Sequence, residues 1–202
     1  MRFSIICPSF LGEYKTAASN LETKIVRAID SVIAQHFEDW ELIVVSDGCE
    51  KTIEIVKPYV YEFLPKIRLI QIPKQPMWSG SVRNAGIFKA EGEIITYLDV
   101  DDKLGADHLQ IINDNFGDND WVYYNDWNGK TMQQNNSRLV LGSCGTSSIS
   151  HKRSLNVYWK SDTYAHDWIF IRTLMETSAN YAKIDTPQYY ICHVPGIGAY
   201  DV

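Results

Sequence analysis

The chain has 202 residues, 45% of them hydrophobic and 22% charged, ordinary globular usage that excludes disorder and collagen-like repeats. That length fits one large domain, and size scaling predicts burial of about 70% of the unfolded chain's surface, enough for one continuous core. A formal net charge of −6 excludes dependence on a phosphate backbone, so no nucleic-acid partner is expected.

In chain order, Phe3 to Cys7 is an apolar run halted by Pro8, which predicts a short buried strand. Ile25, Ile29, Val32 and Ile33 share one face of a helix ending near His36. Leu42 to Val45 predicts a second strand, closed by Ser46-Asp47-Gly48. Ile53, Val56 and Val60 predict a helix that Pro58 should kink or split. Ile67 to Ile72 predicts a strand, Ser81 to Ala90 a short helix, and Glu93 to Leu98 a fourth strand. These strands are continuous Ile/Val runs rather than alternating ones, as in a parallel sheet covered by helices on both faces. The fold class is therefore α/β. Ligands bind such sheets beyond the carboxyl ends of the strands, which draws attention to Ser9, Asp47 and Asp99-Val100-Asp101-Asp102.

After residue 105 the pattern changes. A helix is expected from about Asp107 to Phe116, then a strand at Trp121 to Tyr124. Asn125 to Arg138 is polar and predicts a loop, and Gly142 to Ser148 is small and hydroxylated. A helix should start near His166-Asp167, and Tyr189 to Cys192 reads as a strand. No repeat or linker divides the chain, so one domain over 1–202 is expected. Cys7, Cys49, Cys144 and Cys192 form no C-x-x-C pair and are expected as buried small hydrophobes in a reducing compartment. No apolar run approaches the roughly 20 residues of a membrane span. A cytoplasmic location follows as the expectation, with peripheral membrane contact left open.

Three carboxylates lie within the four residues 99–102. Their mutual repulsion is relieved either by solvent, as an acidic turn with Asp107 capping the next helix, or by a hard divalent cation such as Mg²⁺ or Mn²⁺. An aspartyl-phosphate phosphatase carries Asp-x-Asp after its first strand, whereas here it follows the fourth. Arg83 sits where a guanidinium and a helix N-terminus could face an anion, or it is a surface arginine. Neither G-x-G-x-x-G nor a Walker A loop is present. Among the aromatic residues, Trp121 and Tyr123 are expected in the core. Trp78 and Trp127 are candidates for stacking on a sugar or a base, and Tyr158, Trp159 and Tyr164 crowd the same half. His36 and His108 are expected on helix surfaces, and His151-Lys152-Arg153 as a solvated basic turn.

Taken together, Ser4-Ile-Ile-Cys-Pro-Ser-Phe, the run from Ala28 to Gly48 ending in Glu-Leu-Ile-Val-Val-Ser-Asp-Gly, Arg83-Asn-Ala-Gly-Ile, and Ala90-Glu-Gly-Glu-Ile-Ile-Thr-Tyr-Leu-Asp-Val-Asp-Asp resemble family 2 glycosyltransferases of the GT-A fold. The blocks fall in register over about the first 110 residues. The resemblance implies a Rossmann-like, mostly parallel sheet, with 1–104 binding a nucleotide-sugar and 105–202 adapted to an acceptor. It implies an inverting transferase that moves a sugar from a nucleotide-diphospho-sugar, a UDP-sugar here, to a hydroxyl of a carbohydrate, glycan or lipid-linked acceptor. By the same resemblance Asp47 binds the uracil ring, and Pro8 and Ser9 flank the nucleoside. Arg83 lies near the diphosphate, with Asp99 and Val100 beside the nucleotide. Asp99 and Asp101, with His193, hold Mn²⁺ or Mg²⁺. Asp167 is the catalytic base.

The chain departs from the family pattern at Ser46, where many members carry a first Asp, and at His166, where Glu is common. Its segment from Pro8 to Ala28 is long. A catalytically degenerate sugar-nucleotide-binding domain is the alternative from another class. A nucleotidyltransferase should carry a Gly-rich basic N-terminal loop, which Pro8 to Leu21 lacks. Oligomerisation is left open.

Overall fold

The structure, a computed structural model, describes residues 2–12, 20–76, 79–160, 165–194 and 198–199, without the side chains of 193–194 and 198–199. Trp78, Tyr164, part of the long segment after Pro8 and the side chain of His193 therefore lie outside the described residues. No helix among those described is long and apolar enough to cross a membrane.

The elements run β1 (Phe3–Ser9), α1 (Leu21–Ile33), β2 (Trp40–Asp47), α2 (Glu50–Glu62), β3 (Ile67–Ile72), α3 (Gly80–Lys89) and β4 (Ile94–Tyr97). They continue through β5 (Lys103–Leu104), α4 (His108–Phe116), β6 (Trp121–Tyr124), β7 (Asp126–Asn128), β8 (Gln133–Asn135) and β9 (Ile149–Lys152). The chain ends with α5 (His166–Thr177), β10 (Tyr181–Ile184), β11 (Tyr189–Ile191), β12 (His193–Val194) and β13 (Gly198–Ala199).

Seven strands form the main sheet in the order β10-β6-β9-β4-β1-β2-β3. It is parallel throughout except for β9, which runs antiparallel to both neighbours. Alternation is visible only inside the core. Phe3, Ile5, Cys7, Leu42 and Val44 face one way, toward the core residues of α1, α2 and α4. Ile6, Ile43, Val45, Ile95 and Tyr97 face the other way, toward those of α3 and α5. Both faces are covered, so every residue of β1 and β2 is buried and no polar alternation shows in the sequence. Gly86 lets α3 approach closely, since a Cβ there would come within 2.7 Å of Ile6.

Several expectations are corrected. Strand β1 continues through Pro8, which pairs with Val45. Helix α2 is one element across Pro58; Pro58 and Glu54 are exposed, so the carbonyl that proline leaves without a donor can be hydrated. The polar segment 125–138 is not only a loop, because β7 and β8 join β5 and β11 in a four-stranded small sheet ordered β5-β11-β7-β8. His151 is a buried strand residue bonded to the Tyr97 hydroxyl at 2.7 Å, not part of a solvated turn. His108 is wholly buried rather than on a helix surface. Asp107 makes no side-chain cap to α4; its carboxylate instead accepts from His36 Nδ1 at 2.8 Å. Trp121 is in the core as expected, and all four cysteines are buried and free.

Candidate active site

Strand order reverses at β1, which has β2 on one side and β4 on the other. Such a switch point opens a crevice at the carboxyl ends of the strands. Ser9, Asp47 and Asp99 stand at or just beyond the ends of β1, β2 and β4.

Asp47 is buried and already engaged. Its Oδ2 accepts from Lys74 Nζ at 2.6 Å, and its Oδ1 accepts from the Gln75 N–H at 2.6 Å. The Lys74 ammonium also lies 4.3 Å from the Phe10 ring centroid, so loops from β1 and β3 meet over the end of β2. Gly48 permits this approach, since at φ +61° a Cβ would fall 2.6 Å from the Lys74 nitrogen. Ser46 donates to the Cys49 carbonyl at 2.8 Å and accepts from the Cys49 N–H, closing the turn into α2. Ser9 bonds Thr52 at 2.8 Å. Pro8 is a buried strand residue, and Val100 packs partly buried against the core.

Arg83 is the most unusual side chain in the crevice. It is 3% exposed and its Nη2 donates to Asp99 Oδ1 at 2.7 Å. Its Nε and Nη1 have no partner among the described residues. The guanidinium lies 4.9 Å from the Trp159 ring centroid, and Trp159 in turn stacks on Phe170 at 4.0 Å. Burial opposes the charge, but Asp99 and Asp167 outweigh it and raise the pKa. A buried, charged guanidinium with two nitrogens unpartnered among the described residues has donors that an anionic group could satisfy.

The acidic turn splits into different roles. The Asp99 side chain is one-third exposed, and Asp101 is half-buried. The Asp101 carbonyl accepts from Arg27 Nη2 at 2.6 Å. Asp102 turns inward and is 4% exposed. Its Oδ2 accepts from the Tyr189 hydroxyl at 2.9 Å and its Oδ1 from the Cys192 N–H at 2.7 Å. Burial, with Asp101 and Asp99 alongside, pushes the Asp102 carboxyl well above the usual range.

Asp167 opens α5 with its side chain 40% exposed. Its Oδ1 accepts from the Thr146 hydroxyl at 3.3 Å and lies 3.4 Å from His166 Nδ1. Burial draws the His166 pKa down; Asp167 and Asp99 oppose that and Arg83 reinforces it. Arg83, Asp99, His166 and Asp167 thus share one electrostatic neighbourhood. The sequence marked the acidic residues and Arg83, but not Lys74, Gln75, Thr146, Tyr189 or Arg27, which hold them. Only the glycine at 48 carried a signal of close approach.

Comparison with solved proteins places this architecture. Residues 1–349 of Staphylococcus aureus TarS in complex with UDP-GlcNAc superpose with a TM-score of 0.76 at 22% identity, covering 100% of this chain and 62% of that one. The mannosyltransferase PcManGT from Pyrobaculum calidifontis, in complex with GDP-Man and Mn²⁺, gives 0.70 at 17% identity, covering 98% and 58%. The fold is therefore GT-A. The model of glycosyl transferase family 2 matches residues 16–173, and the chain belongs to that family of glycosyltransferases.

Among curated relatives, the succinoglycan biosynthesis protein ExoO of Rhizobium meliloti is 35% identical over 97 residues, 48% of this chain and 27% of that protein. The poly(ribitol-phosphate) beta-N-acetylglucosaminyltransferase TarS of Staphylococcus aureus is 28% identical over 113 residues, 54% of this chain and 18% of that protein. The matches span about a third or less of the length of these relatives.

Proposed function

We propose that the chain transfers a sugar, with inversion, from a UDP-sugar to a hydroxyl of a carbohydrate, glycan or lipid-linked acceptor. The observation that carries this reading is Arg83, a buried cation beside Asp99 and Asp167 with two nitrogens unpartnered among the described residues.

At the nucleoside end, Asp47 offers an acceptor, and the Lys74 ammonium beside it is a donor. Uracil presents an imide N–H next to a carbonyl and fits that pairing. Cytosine would turn a ring-nitrogen lone pair toward the carboxylate. Guanine offers the same pair on a larger ring, so UDP against GDP is the deciding comparison.

At the diphosphate end, the described residues include no group of three or more side chains able to hold a metal. One or two carboxylates with substrate phosphates suffice for Mg²⁺-type binding, however. Asp99 accepts from Arg83 through Oδ1, and the carboxylates of Asp99 and Asp101, two residues apart in the same turn, are the hard oxygen donors that would hold Mn²⁺ or Mg²⁺. When bound, such a cation supplies positive charge to the departing diphosphate. Arg83 Nε and Nη1 donate to the oxygens on which negative charge grows. Asp167 accepts the proton of the attacking hydroxyl, worth roughly 10²- to 10⁴-fold. A single displacement at C1 inverts the anomeric configuration and needs no second nucleophile.

Asp167→Asn keeps size and most hydrogen bonding while removing the basic oxygen. UDP affinity should stay within a few-fold, while sugar transfer falls by about 10²-fold or more. Transfer by the Asn variant at the unaltered rate would show that Asp167 is not the base.

A further inference from the structure

The groups assigned above come from separate parts of the chain, and reacting atoms must be held roughly 3–3.5 Å apart for displacement. Something must set the acidic turn against Asp167. We propose that the small sheet β5-β11-β7-β8 is that spacer, with Tyr189 and Asp126 as the positioning residues that pin its two ends. The inference rests on the glycosyltransferase reading and extends it to residues that touch neither donor nor acceptor.

Tyr189 pins the first end. Its hydroxyl accepts from the Asp99 N–H at 3.0 Å and donates to Asp102 Oδ2 at 2.9 Å. One buried oxygen thereby ties the start of the acidic turn to its finish. The Cys192 N–H, three residues on, bonds the other Asp102 oxygen at 2.7 Å. Residues 189–192 are thus locked to the turn, while Tyr189 pairs with Leu104 across β5.

Asp126 pins the second end. It is 6% exposed, and its Oδ2 accepts from the Ser147 and Ser148 hydroxyls at 2.6 and 2.8 Å. Its Oδ1 accepts from Asn135 Nδ2 at 2.7 Å, across β8. The turn that Asp126 holds begins at Thr146, the donor to Asp167. A Cβ added to Gly145 would lie 3.6 Å from Asp167 Oδ2, so this backbone stands directly against the carboxylate. Between the pins, β11 and β7 run parallel, with Tyr190 opposite Trp127 and Ile191 opposite Asn128. A hydrogen-bonded ladder keeps its spacing better than a loop does. Burying a carboxylate against two serines and an amide is also costly, which suits a group retained for geometry rather than for stability.

The two ends predict opposite kinetic signatures. Tyr189→Phe removes only the bridging oxygen; UDP affinity measured with Mn²⁺ should fall about tenfold, while uridine affinity stays within twofold. Thr146→Val should leave UDP affinity within twofold and lower the turnover of donor hydrolysis about tenfold, with Thr146→Ser restoring most of it. Asp126→Asn should follow Thr146→Val; if it fails to fold, the Thr146 pair carries that end of the test. The donor is whichever of UDP-glucose, UDP-galactose and UDP-GlcNAc the unaltered protein hydrolyses fastest. Equal losses in every readout, or unaltered values in Tyr189→Phe and Thr146→Val, would overturn the spacer while leaving the transferase reading intact. An unaltered protein that neither binds UDP nor hydrolyses any of the three would overturn both.

Discussion

Arg83→Lys tests the anion site most directly, because it keeps the charge and removes the fork. The guanidinium has five N–H donors in a fixed plane, one of which is used on Asp99 while Nε and Nη1 have no partner among the described residues. A lysine at 83 can pair with Asp99 and turn one further donor outward, but it cannot present two in a plane. Hydrogen bonds to charged groups contribute about 1.5–3 kcal/mol each. Losing one such bond to a bound diphosphate should weaken UDP by about 10- to 150-fold. Uridine has no phosphate and should bind the variant as it binds the unaltered protein. Calorimetric titration with uridine, UMP and UDP, each with Mn²⁺ present, separates these outcomes. If UDP and uridine weaken equally, or UDP does not weaken at all, Arg83 is a structural cation and the crevice does not bind diphosphate through it.

Two further predictions concern stability. Glu41 is buried at the opposite end of the sheet and accepts from Ser4, the Glu91 and Gly92 N–H groups and Arg68. Glu41→Gln should cost about 3 kcal/mol, a fall of roughly 6–12 °C in Tm for a domain of this size, with UDP affinity unchanged. Burial raises the Glu41 pKa, but those hydrogen bonds and Arg68 lower it further. The difference between the two proteins should therefore be full above pH of about 4.3 and shrink as pH falls through the folded-state pKa. His108 is buried with both ring nitrogens unpartnered among the described residues, and burial lowers its pKa to about 3. His108→Phe should be neutral or stabilising by about 1–2 kcal/mol near pH 7. Its advantage should grow by about 1.4 kcal/mol per pH unit below about 6.5, because only the unfolded state then takes up the proton. A destabilised Phe variant in chemical denaturation would show that the imidazole has a partner.

What was legible in the sequence follows from where each residue finds its partner. Strands β1, β2 and β4 were readable as mainly apolar runs because they are buried on both faces; edge strand β3 was readable from its isoleucines and leucine despite Arg68 and an exposed Gln71. Strand β9, reading Ile-Ser-His-Lys, was not, because His151 owes its burial to Tyr97, which is 54 positions away. The segment 125–138 read as a loop because it is polar: Asn128 does make a turn, accepting from the Lys130 and Thr131 N–H groups, but Asp126 finds Ser147 and Ser148 only in the folded chain. Asp47, Asp99 and Asp167 drew attention as candidates because they stand at strand ends and a helix start, which is where the folded chain places them. Lys74, Thr146 and Tyr189 were not, because only the packed chain brings them to those carboxylates. Asp102 looked like its acidic neighbours and proved different, since nothing in the order of residues says which carboxylate of a turn faces inward.

The two ends of the main sheet handle buried charge in opposite ways, and that contrast is what supports placing the proposed chemistry at the carboxyl ends. Glu41, at the amino ends of the strands, is saturated by four donors, which leaves it nothing to offer a ligand. Arg83, beyond the carboxyl ends, is similarly buried, yet it donates to Asp99 through Nη2 while Nε and Nη1 have no partner among the described residues. An unpaired buried donor costs about 1–3 kcal/mol, a cost that the completed hydrogen bonds of Glu41 avoid. The cost is tolerable because Asp99 and Asp167 hold the guanidinium charged and Trp159 covers its face. A bound diphosphate would supply the missing acceptors and convert that cost into affinity. Under the proposed transfer, those acceptors carry the most negative charge as the diphosphate leaves, so the Arg83 donors would bind the transition state more tightly than the donor sugar.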